Sequence, residues 1–259
     1  MSKSSAIDYP ARLASFERWF QTPLGRSLLA DQRRLLEQVL GDRTGARQLQ
    51  VGVSHRLPLA SCTDYSQKII TTPEWFPHMP DGVVVCDADE LPFPGDSMDL
   101  VLLHHTADFS LYPHQVLREA ARVLRGEGMV ALIGFNPMSL WGVRRLVSRH
   151  REGPWGGRFL LRGRMEDWLY LLGFCVEETV TGYYRLPVQR GVAASLQAGS
   201  NGGDINRFLP MGAYYCILAR KRVTARLPRR PAWHQSKVIS LSGRGAVGAS
   251  RGCSRDKSA

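Results

Sequence analysis

Apolar positions in the first forty residues repeat at helical spacing. Phe16, Trp19 and Phe20 lie three and four apart on one face and read as packing residues. Thr22-Pro23 marks a fresh start, with threonine at the N-cap and proline at the first helical position. Leu28, Leu29, Leu35, Leu36, Val39 and Leu40 then form a stripe that ends at Gly41. Beyond residue 48 the pattern becomes short, nearly continuous apolar runs. Residues 49–53, 68–71, 82–86, 98–103 and 129–135 each read as a strand, the second stopped by Pro73 and the third rich in β-branched side chains. Such runs suit a parallel sheet covered on both faces.

The clearest helix joins the fourth and fifth runs. Pro113 opens it, Leu117, Ala120, Ala121 and Leu124 recur at i, i+3, i+4 and i+7, and Gly126 closes it. A further helix is predicted from about Met165 to Leu172, ending at Gly173, with strands at 174–180 and 213–219. The stretch 186–211, with Gly199, Asn201, Gly202 and Gly203, reads as a long loop. Alternating strands and helices with a terminal strand–loop–strand pair predict a doubly wound α/β domain.

Charge divides the chain unevenly. The formal net charge is +11 over 259 residues, but eleven Lys/Arg and one acid lie from Ala219 onward, which leaves the other 218 residues near neutrality. The expected organisation is a helical segment at 1–45, the α/β domain at 46–223 and a basic, aperiodic tail at 224–259 that reads as disordered. No apolar run approaches the roughly 20 residues of a membrane span. The N-terminus lacks a signal-peptide h-region. Five scattered cysteines, none spaced C-x-x-C, fit neither a disulfide framework nor a zinc site. A cytoplasmic protein without membrane contact is expected.

One stretch narrows the picture. Asp87-Ala88-Asp89-Glu90-Leu91-Pro92-Phe93, then Ser97-Met98-Asp99, then Leu117 to Leu124 with Leu-Arg-Glu-x-x-Arg-Val-Leu, then Gly128, resembles in order the middle of a type 11 class I S-adenosylmethionine-dependent methyltransferase. Leu171 to Phe174 and Ile217 to Lys221 resemble the family's closing helix and last strand. Residues 16–29 and the later GFNPMSLWG resemble a small bacterial subgroup. The resemblance implies a Rossmann-like sheet of about seven strands with helices on both faces and the last strand antiparallel. It also implies S-adenosylmethionine as cofactor, bound outside the carboxyl ends of the strands.

The site implied by the resemblance is only partly present. The first strand should end in acid-x-Gly-x-Gly-x-Gly. Here Gln50 stands for the acid and Gly52 alone survives of the glycines. Glu74, after the second strand, is the candidate for the ribose hydroxyls. The interval from Gly52 to Asp87 is about ten residues short of the family, so a helix there is expected to be trimmed. Asp87, with Ala88 and Asp89, occupies the adenine-reading position; the ordinary alternative is an Asp capping a turn. His104 and His105 follow the fourth strand, where a base can act at neutral pH; the ordinary alternative is packing. Asn136 and Pro137 share that rim, without the aromatic of amino-methylating motifs.

Three functions follow as expectations. The first is methyl transfer to an unidentified acceptor, expected to be a small molecule. The second is a non-catalytic binding module that keeps the methyltransferase fold. The third adds nucleic acid held by the tail's arginines, against the commoner case of a solvated tail.

Overall fold

The computed structural model describes residues 9–61, 63–148, 152–187 and 212–223. The basic tail and nearly all of the long loop expected after residue 186 lie outside these residues.

Helices α1 (Tyr9–Phe20) and α2 (Pro23–Leu40) come first. Thr22 caps α2 as predicted, its hydroxyl accepting the Gly25 amide at 3.1 Å. The strands are β1 (Thr44–Val51), β2 (Asp64–Thr72), β3 (Val83–Val85), β4 (Met98–His104), β5 (Leu124–Phe135), β6 (Phe174–Gly182) and β7 (Tyr214–Lys221). They form one seven-stranded sheet in the order β3-β2-β1-β4-β5-β7-β6. All pairs are parallel except those of β7, which runs antiparallel between β5 and β6. The direction of winding reverses between β1 and β4, and the crevice of such a fold opens there, beyond the carboxyl ends.

Strand extents exceed the apolar runs. β1 starts at Thr44, five residues before its first fully buried apolar side chain, because pairing to β2 uses backbone groups regardless of side chain. β5 begins at Leu124, directly after helix α4 (Pro113–Val123). Short helices α3 (Thr106–Phe109) and α5 (Leu140–Val147) and a 3-10 turn at Gly153–Gly156 were not expected; α6 (Arg162–Leu171) was.

Two cores flank the sheet. Leu100, Leu102, Ile133, Phe135 and Cys216 face α1 and α2, while Val101, Leu103, Leu132 and Ile217 face α4 and α6. The trimmed helix is observed. Among the described residues 52–63 there is no helix, although β1 and β2 are parallel neighbours that a helix normally connects. The loop lies instead on the α1/α2 face, burying Val53, Leu57, Leu59 and Ala60. Its backbone then needs partners that a helix would have supplied internally. Gln48 and Gln50 provide them. Gln50 donates through Nε2 to the Leu57 carbonyl at 2.8 Å and accepts the Leu59 amide at 2.9 Å. Gln48 binds the Ala60 carbonyl and the Thr63 hydroxyl.

The two motifs in the middle of the chain are also joined. Arg122 on α4 donates to the carbonyls of Leu91 and Phe93, both at 2.8 Å, while Glu119 binds the Arg122 guanidinium and accepts the Leu91 amide. The Leu-Pro-Phe segment that follows Asp87 is therefore pinned to the helix.

Candidate functional site

A narrow cavity sits at the switch point. Gly52 and Val53 after β1, Thr71 and Pro73 at the end of β2, Cys86 and Ala88 after β3, and Thr106 after β4 line it, and Leu13 of α1 completes the lining. Its volume is about 10 Å³, room for a single water. Helix α1 is fastened over this spot: Glu17 accepts from the Ser54 hydroxyl at 2.8 Å and lies 3.6 Å from Arg56.

The structure brings Gly52 and Ala88 together on the cavity wall. A methyl group built on Gly52 would meet His104 Cβ at 3.5 Å, an ordinary contact, so the chain's own packing does not require glycine there. Asp87 is exposed at the carboxyl edge, and its carboxylate has no hydrogen bond or ion pair among the described residues. It does not cap a turn through its side chain. Asp89 is half-buried beside it. Glu74 lies beyond Pro73, exposed and outside the cavity lining. Asp99 contrasts with Asp87: it is buried, accepts the amides of Ala46 at 2.8 Å and Arg47 at 2.7 Å, and pairs with Arg125.

The two histidines do not line the cavity. Both are fully buried, His104 against Phe20 and His105 stacked on Phe135 with ring centroids 4.0 Å apart. They belong to a buried polar chain that crosses the α1/α2 core. Asp108 accepts from His105 Nδ1 at 2.9 Å, Gln32 of α2 donates to His105 Nε2 at 2.8 Å, and His104 Nε2 donates to Gln32 Oε1 at 3.1 Å. In this arrangement His104 Nδ1 is left as a lone-pair acceptor. It is buried without a partner, on the Gly52 side. Burial holds His104 well below the usual imidazole range and His105 down to about 3, so both rings are neutral. Burial pushes the Asp108 carboxyl upward, opposed by the Phe135 amide that it accepts at 2.9 Å. His105 also holds a left-handed backbone, φ 54°, which a non-glycine residue adopts only where its surroundings enforce it. Here its amide is bonded to the Ile133 carbonyl and both ring nitrogens are engaged.

Gln32, Asp108 and Leu13 are site elements absent from the expectations, and Gln50, expected only as a replacement for the motif acid, serves instead to hold the loop. Gln32 is a polar residue in the buried stripe of α2, and Gln50 a polar residue inside an apolar strand; those breaks in pattern are the signals that mark them.

The geometry agrees with likeness to known proteins. The type 11 methyltransferase domain family matches residues 49–132. The uncharacterized protein YafS of Escherichia coli (strain K12) is 31% identical over 248 residues, 94% of this chain and 95% of that one. Among solved structures, an S-adenosylmethionine-dependent methyltransferase of Thermotoga maritima, described as a possible histamine N-methyltransferase, superposes with a TM-score of 0.60 at 20% identity. The match covers 83% of this chain and 98% of that one. A methyltransferase of the same dependence from Archaeoglobus fulgidus gives 0.54 at 19% identity, over 80% and 98%.

Proposed function

Since the chain belongs to the class I S-adenosylmethionine-dependent methyltransferases, we propose that it binds S-adenosylmethionine in the Gly52–Ala88 cleft and transfers its methyl group to a small-molecule acceptor. The observation that carries the reading is the free carboxylate of Asp87 at the carboxyl edge of the sheet, beside a cavity at the switch point. Asp87 would accept the adenine amine. Val53, Pro73 and Ala88 would flank the ring, with Asp89 alongside. Gly52 would let the backbone approach the methionine part. Glu74 is the acid at the β2 rim that can reach toward ribose hydroxyls. The bound cofactor supplies an electrophilic methyl on a sulfonium, and the protein's task is to exclude water and align the acceptor.

The donor set fits at the adenine end, while the volume does not fit with α1 in place. Binding therefore requires Leu13 to withdraw. Neither imidazole reaches solvent in the closed form, so a base role is confined to His104 Nδ1, the unpaired atom that opening at Gly52 would uncover. His105, Gln32 and Asp108 would position it.

The reading is tested by calorimetric titration with S-adenosylmethionine and S-adenosylhomocysteine. Saturable binding of both is expected. Absence of binding at millimolar concentrations would overturn it and favour a non-catalytic module, which the eroded glycine loop and the closed cavity also fit.

A further inference from the structure

Helix α5 is attached by one side and apolar on the other. Trp141 and Gly142 face the protein, and the Trp141 indole donates to the Arg185 carbonyl at 3.0 Å. Leu140, Val143, Leu146 and Val147 are 40% to 79% exposed, and Met138 just before them is 63% exposed. Leu140, Val143 and Val147 follow i, i+3, i+7 spacing with Leu146 flanking, so they form one stripe on the side that a surface helix normally gives to polar residues. Among the described residues, five of the thirteen exposed large apolar side chains fall within these ten consecutive positions, which makes a patch rather than scatter. Among the described residues nothing covers it.

The surroundings are strongly basic. The described residues of 136–164 include five arginines and a single acid, Glu152, with Glu166 following on α6. Arg144 lies over the Trp155 ring at 4.9 Å, and Arg145 lies over Phe159 at 5.4 Å and donates through Nε to the Gly157 carbonyl at 2.6 Å, so both guanidinium groups sit off the apolar stripe. Arg158, Arg162 and Arg164 are exposed nearby in the chain, Arg162 lying 3.5 Å from Glu166 and Arg164 over the Trp168 ring at 5.7 Å.

An apolar stripe set among cations matches a surface that is anionic at its face and apolar just beneath. We propose that α5 docks in the interface of an anionic lipid bilayer, with its stripe at the acyl boundary and the exposed Arg144 and Arg158 at the headgroup phosphates. Nucleic acid offers phosphates without an apolar layer for the stripe. A helix of this kind lies in the surface plane, so the inference is compatible with the finding that no helix among the described residues can cross a membrane. Asn136 and Pro137 lead directly from the carboxyl end of β5 into α5, which brings that rim of the sheet to the bilayer. The inference does not depend on methyl transfer.

The test is co-sedimentation of the full-length protein with vesicles of phosphatidylcholine plus phosphatidylglycerol, and of phosphatidylcholine alone. The wild type is expected to partition onto the anionic vesicles. The double variant Leu146→Glu, Val147→Glu should bind at least about tenfold more weakly, since it removes two inserted side chains and adds charge. Both positions are exposed, and an unchanged circular dichroism spectrum checks that the fold is kept. Leu171→Glu, equally exposed on α6, should bind like wild type. Equal binding by the double variant would assign any lipid affinity to the basic tail and overturn the proposal. So would failure of the wild type to bind, or lipid-free self-association abolished by the double variant, which would give the stripe to a second copy of the chain.

Discussion

Asp87 and Asp99 are separated by twelve positions and share a side chain, yet the structure gives them opposite duties. Replacing each by alanine separates cofactor binding from stability. Asp87 is exposed and its carboxylate makes no hydrogen bond or ion pair among the described residues, so Asp87→Ala is expected to change stability by no more than about 0.5 kcal/mol. With cofactor bound, the same change deletes a charge-assisted acceptor and leaves the adenine amine unpaired. That is worth about 1.5–3 kcal/mol, or roughly ten- to a hundredfold in affinity. Asp99 is buried and accepts two backbone amides while pairing with Arg125. Asp99→Ala strands those donors at the start of β1, at a cost of about 2–4 kcal/mol. In a domain of this size that lowers Tm by roughly 2–4 °C for each kcal/mol. Calorimetric titration with S-adenosylhomocysteine and thermal unfolding on the same preparations read the two quantities separately. Two variants that both bind like wild type would refute the adenine assignment. A marked loss of stability in Asp87→Ala would refute the claim that its carboxylate is free.

Three further changes probe the rest of the site. Leu13→Ala should cost about 2–4 kcal/mol in stability by emptying a buried position, yet tighten S-adenosylhomocysteine binding several-fold by opening the cavity; unchanged or weaker binding by the folded variant would show that Leu13 does not gate the cleft. Gln50→Glu restores the motif acid but removes the donor to the Leu57 carbonyl and buries a carboxylate, so urea unfolding at neutral pH should show a loss of about 2–4 kcal/mol; a variant as stable as wild type would dispose of the loop clamp. His104 and His105 have folded-state pKa values below 6.5, so the unfolded chain takes up more protons as pH falls through that value, and stability declines on acidification. Burial pushes the Asp108 carboxyl upward, which works against this decline, but two imidazoles face one carboxyl, so stability should still fall between roughly pH 6 and 4.5. His104→Gln should flatten this fall, and a wild-type stability independent of pH in that window would refute the neutral buried pair.

Much of the architecture is written locally. Apolar runs such as residues 98–103 and 129–135 can be satisfied only where both faces are covered, so a parallel sheet follows from them without knowledge of partners. The Thr22-Pro23 start of α2 and the Pro113 start of α4 are set by backbone chemistry confined to a few residues. Asp87 is legible for the same reason: a carboxylate ending a β-branched strand sits at a carboxyl edge wherever that strand lies in the sheet. Other features exist only through contacts distant in sequence. Gln32 looks like one more polar residue of a charged helix until the winding of the sheet sets it between two imidazoles more than seventy positions away. Gln50 reads as a decayed motif until the loop that it holds is seen to lack a helix. Leu13 reads as ordinary helix packing until α1 is laid over the switch point. The stripe on α5 is the sharpest case. Helical periodicity tells which side chains share a face, and it has the same value whether that face turns inward or outward. Trp141, docked beneath the helix, turned it outward, and only the packed structure contains that choice.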